Sequence, residues 1–148
     1  MIAVDTNILV YAHRDDSEWH EPALVAIKSL ATGVSPWAIP WPCVHEFFSI
    51  ITHPRVFSPP STRAEACEQL EVWMESPSLT LLGEETGYWH QLRATLDAGK
   101  IVGPAVHDAR ISALCVHHGV TALWTADRDF SRFAGLRVRN PLTNQGTT

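Results

Sequence analysis

Cysteine is scarce in this chain. Its three cysteines, Cys43, Cys67 and Cys115, are odd in number and widely spaced. They form no metal knuckle and imply no disulfide framework, so a reducing, cytoplasmic location is expected. No apolar run approaches the roughly 20 residues that a membrane span needs. The N-terminus lacks a basic region followed by an apolar stretch and a small-residue cleavage site, so no secretory signal is expected. No internal repeat, low-complexity segment or linker divides the chain. Lysine is nearly missing, with two residues against nine arginines, and the net charge is -5. That balance argues against a generic nucleic-acid coat protein. What remains is 148 residues, 45% of them hydrophobic. This is enough for one globular domain with a real core. We expect that domain over residues 1–140, with a polar tail over 141–148.

The opening stretch organises the rest. Ile2 to Val4 is too short an apolar run for a helix and reads as a buried strand. Asp5 sits where that strand ends. Thr6 and Asn7 can hydrogen-bond local backbone and turn the chain into a helix, along which Ile8, Tyr11 and Ala12 recur. Ligands of open parallel sheets bind at the carboxyl ends of the strands, so Asp5 is a candidate site residue. Its plain alternative is an ordinary helix N-cap.

Further along, Trp19, Leu24, Ile27 and Leu30 predict a second helix ending near Gly33. Ala38–Trp41 predicts a second strand. Pro42 suits a helix start, and Val44, Phe47, Phe48 and Ile51 give that helix an apolar face that Pro54 ends. Thr62-Arg63-Ala64-Glu65 is a capping-box pattern opening a helix with Cys67, Leu70, Trp73 and Met74 inside. Leu79–Leu82 reads as a third strand. Trp89, Leu92 and Leu96 mark a helix closed by Gly99. Asp108 begins another, with Ile111, Leu114 and Cys115 on one face and Gly119 as its C-terminal cap. Residues 121–125 predict a fourth strand and 136–138 a fifth, edge strand. Short strands alternating with helices predict an α/β sandwich with a mainly parallel sheet of four to five strands.

Four acidic segments then fall at strand ends or helix starts. These carry Asp5, Glu46, Asp108, and Asp127 with Asp129. The pieces Val4-Asp5-Thr6-Asn7, His45-Glu46-Phe47, His107-Asp108-Ala109 and Leu123-Trp124-Thr125-Ala126-Asp127-Arg128-Asp129-Phe130 resemble, in order and spacing over nearly the whole chain, the PIN-domain ribonucleases. Within them the chain is similar to the VapC-type toxins of bacterial toxin–antitoxin pairs. The resemblance implies a PIN-like three-layer sandwich with strands one and four as central neighbours. It implies a metal-dependent endoribonuclease that hydrolyses RNA phosphodiester bonds with metal-activated water. Carried onto this chain, the catalytic acids are Asp5, Glu46, Asp108 and Asp127. Asp5, Asp108 and Asp127 are the metal ligands, and Asp129 is a further candidate or a cap for the next short helix. Thr6, Asn7 and Thr125 support the site. Mg²⁺ or Mn²⁺ is the implied cofactor, and the implied partners are an RNA substrate, a small VapB-like antitoxin and a second copy of the chain.

Elementary electrostatics agrees. Two carboxylates about 4 Å apart repel by roughly 4 kcal/mol at an effective dielectric near 20. Gathering four requires cations or raised pKa values. Hard oxygen donors without cysteine favour Mg²⁺ or Mn²⁺ over Zn²⁺. Arg110, Arg128 and Arg132 lie near the acids in sequence and could contact RNA phosphates; surface ion pairing is their plain alternative. His107 is a loop or helix-start residue, or a ligand. His117-His118 reads as a solvated helix end. Trp37, Trp41, Trp73, Trp89 and Trp124 are core or interface residues, or stacking platforms for bases. Two rival functions stay open. One is a non-catalytic acidic binding module. The other is a phosphohydrolase of the haloacid dehalogenase type, which Asn7 disfavours because that chemistry wants a second Asp there.

Overall fold

The computed structural model describes residues 1–143. Five strands form one parallel sheet in the order β3-β2-β1-β4-β5. They are β1 (Ile2–Val4), β2 (Trp37–Pro40), β3 (Leu79–Leu82), β4 (Ala122–Trp124) and β5 (Val138–Arg139). Six α-helices flank the sheet. These are α1 (Thr6–His13), α2 (His20–Thr32), α3 (Trp41–Ile51), α4 (Arg63–Met74), α5 (Tyr88–Gly99) and α6 (Val106–His117).

The sheet grows outward from β1 in two directions. The chain builds β2 and β3 on one side, then crosses back to lay β4 against the other edge of β1, pairing Ile2 with Ala122 and Val4 with Trp124. Because crossovers are right-handed, reversing direction moves the helices to the opposite face. α1 accordingly packs with α2 and α3, and α3 with α4, while α5 packs with α6. The gap between β1 and β4 is the topological switch point, where open α/β sheets bind ligands.

The core is made where sequence periodicity meets the sheet. Ala3, Val4, Trp37, Ala38, Ile39 and Leu123 fill the sheet, and Ile8, Leu9, Ile27, Phe47, Ile51, Ile111 and Leu114 cover it. Each of the valine, leucine, isoleucine and phenylalanine side chains among them stabilises the fold by about 1.5–3 kcal/mol. Phe47 packs at 5.1 Å from the Trp73 ring and takes the edge of His13 at 5.5 Å.

Several elements differ from the sequence expectation. β2 starts at Trp37 and stops at Pro40, which N-caps α3, so Trp41 belongs to the helix. The capping box is present at Thr62 and Glu65, but α4 turns Ala66, Leu70 and Trp73 inward and leaves Cys67 and Met74 exposed. α5 buries Tyr88 and exposes Trp89. Lys100, not Gly99, takes the left-handed conformation after α5, with φ 51°. A short 3₁₀ turn, Gly103–Ala105, launches α6 at Val106, which puts Asp108 inside its first turn. Gly119 follows α6 with φ 71°, a conformation open to glycine at little cost. β5 is only two residues long, and Leu136 before it is buried against the core. Leu142 is buried too, so packing reaches past residue 140; residues 144–148 of the expected tail lie outside the described residues. No helix of the described residues is long and apolar enough to cross a membrane.

Candidate active site

Asp5 ends β1 and caps α1. Its backbone N–H donates to the Trp124 carbonyl of β4 at 3.0 Å, and its Oδ1 accepts from the Thr6 N–H at 2.8 Å. The side chain is only 4% exposed, so every contact it makes is inside the protein. Oδ2 accepts the Thr125 hydroxyl at 2.8 Å and the Asn7 amide at 3.3 Å. The Cys43 thiol of α3 donates to Oδ1 at 3.6 Å. No basic side chain pairs with Asp5 among the described residues. Burial pushes its carboxyl up from 3.8 to about 6. The hydrogen bonds from Thr125 and Thr6 pull the other way, and the charge of Glu46 adds to the rise.

Thr125 is the hub. Its hydroxyl donates to Asp5 and accepts from the Asn7 amide and the Asp127 N–H, each at 3.0 Å. Asn7 accepts the Ala126 N–H at 3.0 Å with its other end. The turn after β4 is therefore wired to the turn after β1. Thr6 extends the wiring to α3, donating to Glu46 Oε2 at 2.7 Å. Asp127 caps the 3₁₀ turn Arg128–Arg132 by accepting the Asp129 N–H at 2.9 Å. That cap comes from Asp127, not from Asp129, whose side chain is exposed.

Asp108 approaches from α6. Burial raises its pKa, the charges of Asp127, Glu46 and Asp129 raise it further, and Arg132 opposes them. Arg132 Nη2 lies 3.3 Å from Asp108 Oδ2 and its guanidinium covers the Phe133 ring at 5.1 Å. Arg110 is paired with Glu84 at 3.2 Å, and Arg128 is exposed beside Asp127. His107 is exposed.

The sequence-predicted acids thus come from four elements to one end of the sheet. They are not yet closed around a point: no three of them bring ligand atoms within 4.8 Å of one another. The donor chemistry fits a hard divalent cation. It is all carboxylate oxygen, and the buried carboxyl of Asp5 has hydrogen-bond donors but no positive charge. Burial, reinforced by Asp5, holds the Cys43 thiol protonated, so it serves as a donor and not as a ligand or nucleophile. Sequence reasoning missed Cys43, whose role depends on a contact across 38 residues. Of the tryptophans, Trp37, Trp73 and Trp124 are buried, while Trp41 and Trp89 are exposed.

A parallel sheet with acids at its switch point defines an α/β protein with an acidic ligand site, and comparison with known proteins narrows the class. The family model described as PIN domain matches residues 2–136. Ribonuclease VapC48 of Mycobacterium tuberculosis (strain ATCC 25618 / H37Rv) is 32% identical over 139 residues, covering 94% of this chain and 96% of the relative. The solved structure of VapBC2 from Rickettsia felis, bound to a DNA fragment from their promoter, superposes with a TM-score of 0.64 at 22% identity, over 95% of this chain and 98% of that one. Mycobacterium tuberculosis VapC20, a sarcin-ricin loop cleaving toxin, gives a TM-score of 0.65 at 15% identity, over 93% and 99%. The chain belongs to the PIN-domain family, among its VapC ribonucleases.

Proposed function

We propose that this chain is a Mg²⁺- or Mn²⁺-dependent endoribonuclease and the toxin of a toxin–antitoxin pair. The observation that carries this reading is the Asp5 carboxyl, 4% exposed, bordered by further acids and matched by no basic group among the described residues. A fold keeps such a group when something positive completes it. Similarity to the VapC48 ribonuclease supports RNA as the substrate.

Asp5, Asp108 and Asp127 would hold the cation, with Glu46 beside them and Asp129 at the rim. When bound, a divalent cation neutralises phosphate charge and activates the attacking water. The chain's own residues do the positioning. Thr125 and Asn7 fix the rotamer of Asp5, Thr6 fixes Glu46, the Thr125 hydroxyl accepts the Asp127 N–H, and the Asp129 N–H donates to the Asp127 carboxylate. Water adds to phosphorus, the bond to the leaving oxygen breaks, and that oxygen takes up a proton. Arg128 and Arg132 stand where they can meet substrate phosphates, Arg132 by exchanging Asp108 for phosphate. Arg110 is committed to Glu84 and is the weaker phosphate contact.

An acidic site on an acidic chain invites a basic inhibitor. The proposed antitoxin sets an Arg or Lys against Asp5 and Asp108 and anchors apolar side chains beside Trp41, which is exposed, and Tyr11 and Phe48, which are half-buried. The same apolar surface suits a homodimer. The test is cleavage of a structured RNA by purified protein with Mg²⁺ or Mn²⁺, repeated with Asp5→Asn and with the co-purified product of the neighbouring gene. Asp5→Asn should abolish cleavage with the fold intact, and the neighbour should suppress it. Wild-type cleavage by Asp5→Asn removes the site assignment; a tight complex that cleaves at full rate removes the inhibition mode.

A further inference from the structure

The loop between β3 and α5 runs Gly83-Glu84-Glu85-Thr86-Gly87, and α6 ends on His117 with His118 as its cap. These segments meet. Glu85 Oε1 lies 3.4 Å from His117 Nε2 and 3.9 Å from His118 Nδ1. Among the described residues, Glu85, His117 and His118 are the one group of three His, Cys, Asp or Glu side chains whose ligand atoms all fall within 4.8 Å of one another. The expected solvated helix end is therefore a convergence of two largely buried imidazoles on one carboxylate.

The spacing carries chemical meaning. Donors on a tetrahedral ion with bonds of about 2.0–2.1 Å sit about 3.3–3.4 Å apart; the Glu85–His117 pair is at that spacing, at 3.4 Å, and a side-chain adjustment of about half an ångström would bring His118 to it from 3.9 Å. The His118 ring is also turned for the task. Its Nε2 is 2.8 Å from the Gly83 carbonyl, which can only accept, so Nε2 carries the hydrogen. In the neutral ring Nδ1 then presents its lone pair toward Glu85. A ligand imidazole anchored through its other nitrogen to a backbone carbonyl is the usual outer support of a metal site. The His117 ring is confined as well. Gly87 has φ 90°, and a Cβ there would come within ordinary contact of His117 Cε1 at 3.5 Å, so the loop runs beside the imidazole. Tyr88 and His118 meet the same ring edge-on. The last carbonyls of α6 add a negative potential that favours a cation here.

We infer that Glu85, His117 and His118 form a second metal site, selective for a zinc-class divalent ion and separate from the acids at the switch point. Two imidazoles and one carboxylate suit Zn²⁺ or Co²⁺ and not Mg²⁺, and three protein ligands leave a fourth position for water. His117 lies nine residues after Asp108 on the same helix, about 14 Å away at the rise of an α-helix. The ion would staple the β3–α5 loop to the end of α6. The same loop already holds that helix through Glu84 and Arg110.

The experiment titrates the full-length protein with Co²⁺ in a large excess of Mg²⁺, which occupies the carboxylate site, and follows visible d–d absorption. Wild type should show the intense bands of a four-coordinate ion, saturating at one equivalent and bleached by Zn²⁺, together with a raised melting temperature. Glu85→Gln, in a side chain 63% exposed and outside the core, should weaken binding by at least about tenfold, since even outer supports of metal sites typically cost that much. His117→Ala should do the same, with circular dichroism reporting the fold. Asp5→Asn should leave the bands unchanged. Equal titrations of wild type and Glu85→Gln, bands lost in Asp5→Asn, or no four-coordinate spectrum in wild type would each overturn the inference.

Discussion

Replacing Asp5 by Asn removes a charge and keeps the volume, so it isolates what the buried carboxylate does to the fold. In the metal-free protein burial raises the carboxyl from 3.8 to about 6. The folded state therefore binds the proton more tightly than the unfolded chain does. Stability tied to this group is fully present below 3.8 and is lost as the pH rises through about 6. At about 1.4 kcal/mol per pKa unit, the loss amounts to about 3 kcal/mol. Asn does not titrate and escapes it. Asn also forfeits a hydrogen bond: its single amide oxygen can accept the Thr125 hydroxyl or the Thr6 N–H but not both, and its NH₂ group meets the other donor. A hydrogen bond to a charged group is worth about 1.5–3 kcal/mol, so the net effect near neutrality is small. The pH dependence is the clean readout. Urea unfolding of both proteins in EDTA, from below pH 3.8 to above pH 6, should show Asp5→Asn gaining about 3 kcal/mol on wild type across that window. Groups that do not interact with Asp5 titrate in both proteins and cancel. Parallel stability curves would refute the claim that the buried carboxylate is uncompensated without metal.

Thr125→Val should destabilise the fold by about 1–3 kcal/mol, because it leaves the Asp5 carboxylate, the Asn7 amide and the Asp127 N–H each short of a partner; unfolding in denaturant measures it, and a change under 0.5 kcal/mol would deny Thr125 the role of hub. Mg²⁺ or Mn²⁺ should raise the melting temperature of wild type more than that of Asp108→Asn, since a ligand of the folded state stabilises by mass action. Equal rises in calorimetry would place the ion elsewhere.

Much of the architecture was legible because its signals are local. Asp5-Thr6-Asn7 and the Thr62–Glu65 capping box declare helix starts within four residues, and Leu79–Leu82 is bounded as the periodicity implies. Sequence and structure differ where helical spacing fits two adjacent faces and packing selects one of them. Trp89 is larger than Tyr88, yet the phase of α5 against α6 buries the tyrosine. In α4 the spacing Cys67, Leu70, Met74 fits a helix face as well as Ala66, Leu70, Trp73 does, and the structure buries the second set. The edge strand expected over 136–138 is present as β5 at Val138–Arg139, shifted because its bounds are set by pairing with β4 and not by its own apolar residues. Asp5, Asp108 and Asp127 stand out in the sequence because each follows a strand or lies in the first turn of a helix, whereas Glu46 lies well inside α3 and is singled out only by the family resemblance. Glu85 was missed because a loop acid has no periodicity, and its histidines lie 32 and 33 positions on.

The wiring of the site explains how one sheet end can collect acids before anything neutralises them. Asp5 and Asp127 do not face each other freely. Asp5 is held by Thr125, whose oxygen also takes the Asp127 N–H, and Asp127 turns its Oδ1 to the Asp129 N–H. Each carboxylate is thus supplied with neutral donors that lower the cost of its charge locally. Asp108 is supplied differently, by the guanidinium of Arg132, a side chain 42% exposed. An exposed ion pair contributes at most about 1 kcal/mol and can be exchanged for a cation or a phosphate at little cost. The rigid half of the site therefore comes from β1 and β4 at the switch point, and the adjustable half from α6. In the site we propose, any adjustment to an ion falls on the α6 side, because Asp5 is held by Thr125 and Asp127 by the Thr125 hydroxyl and the Asp129 N–H.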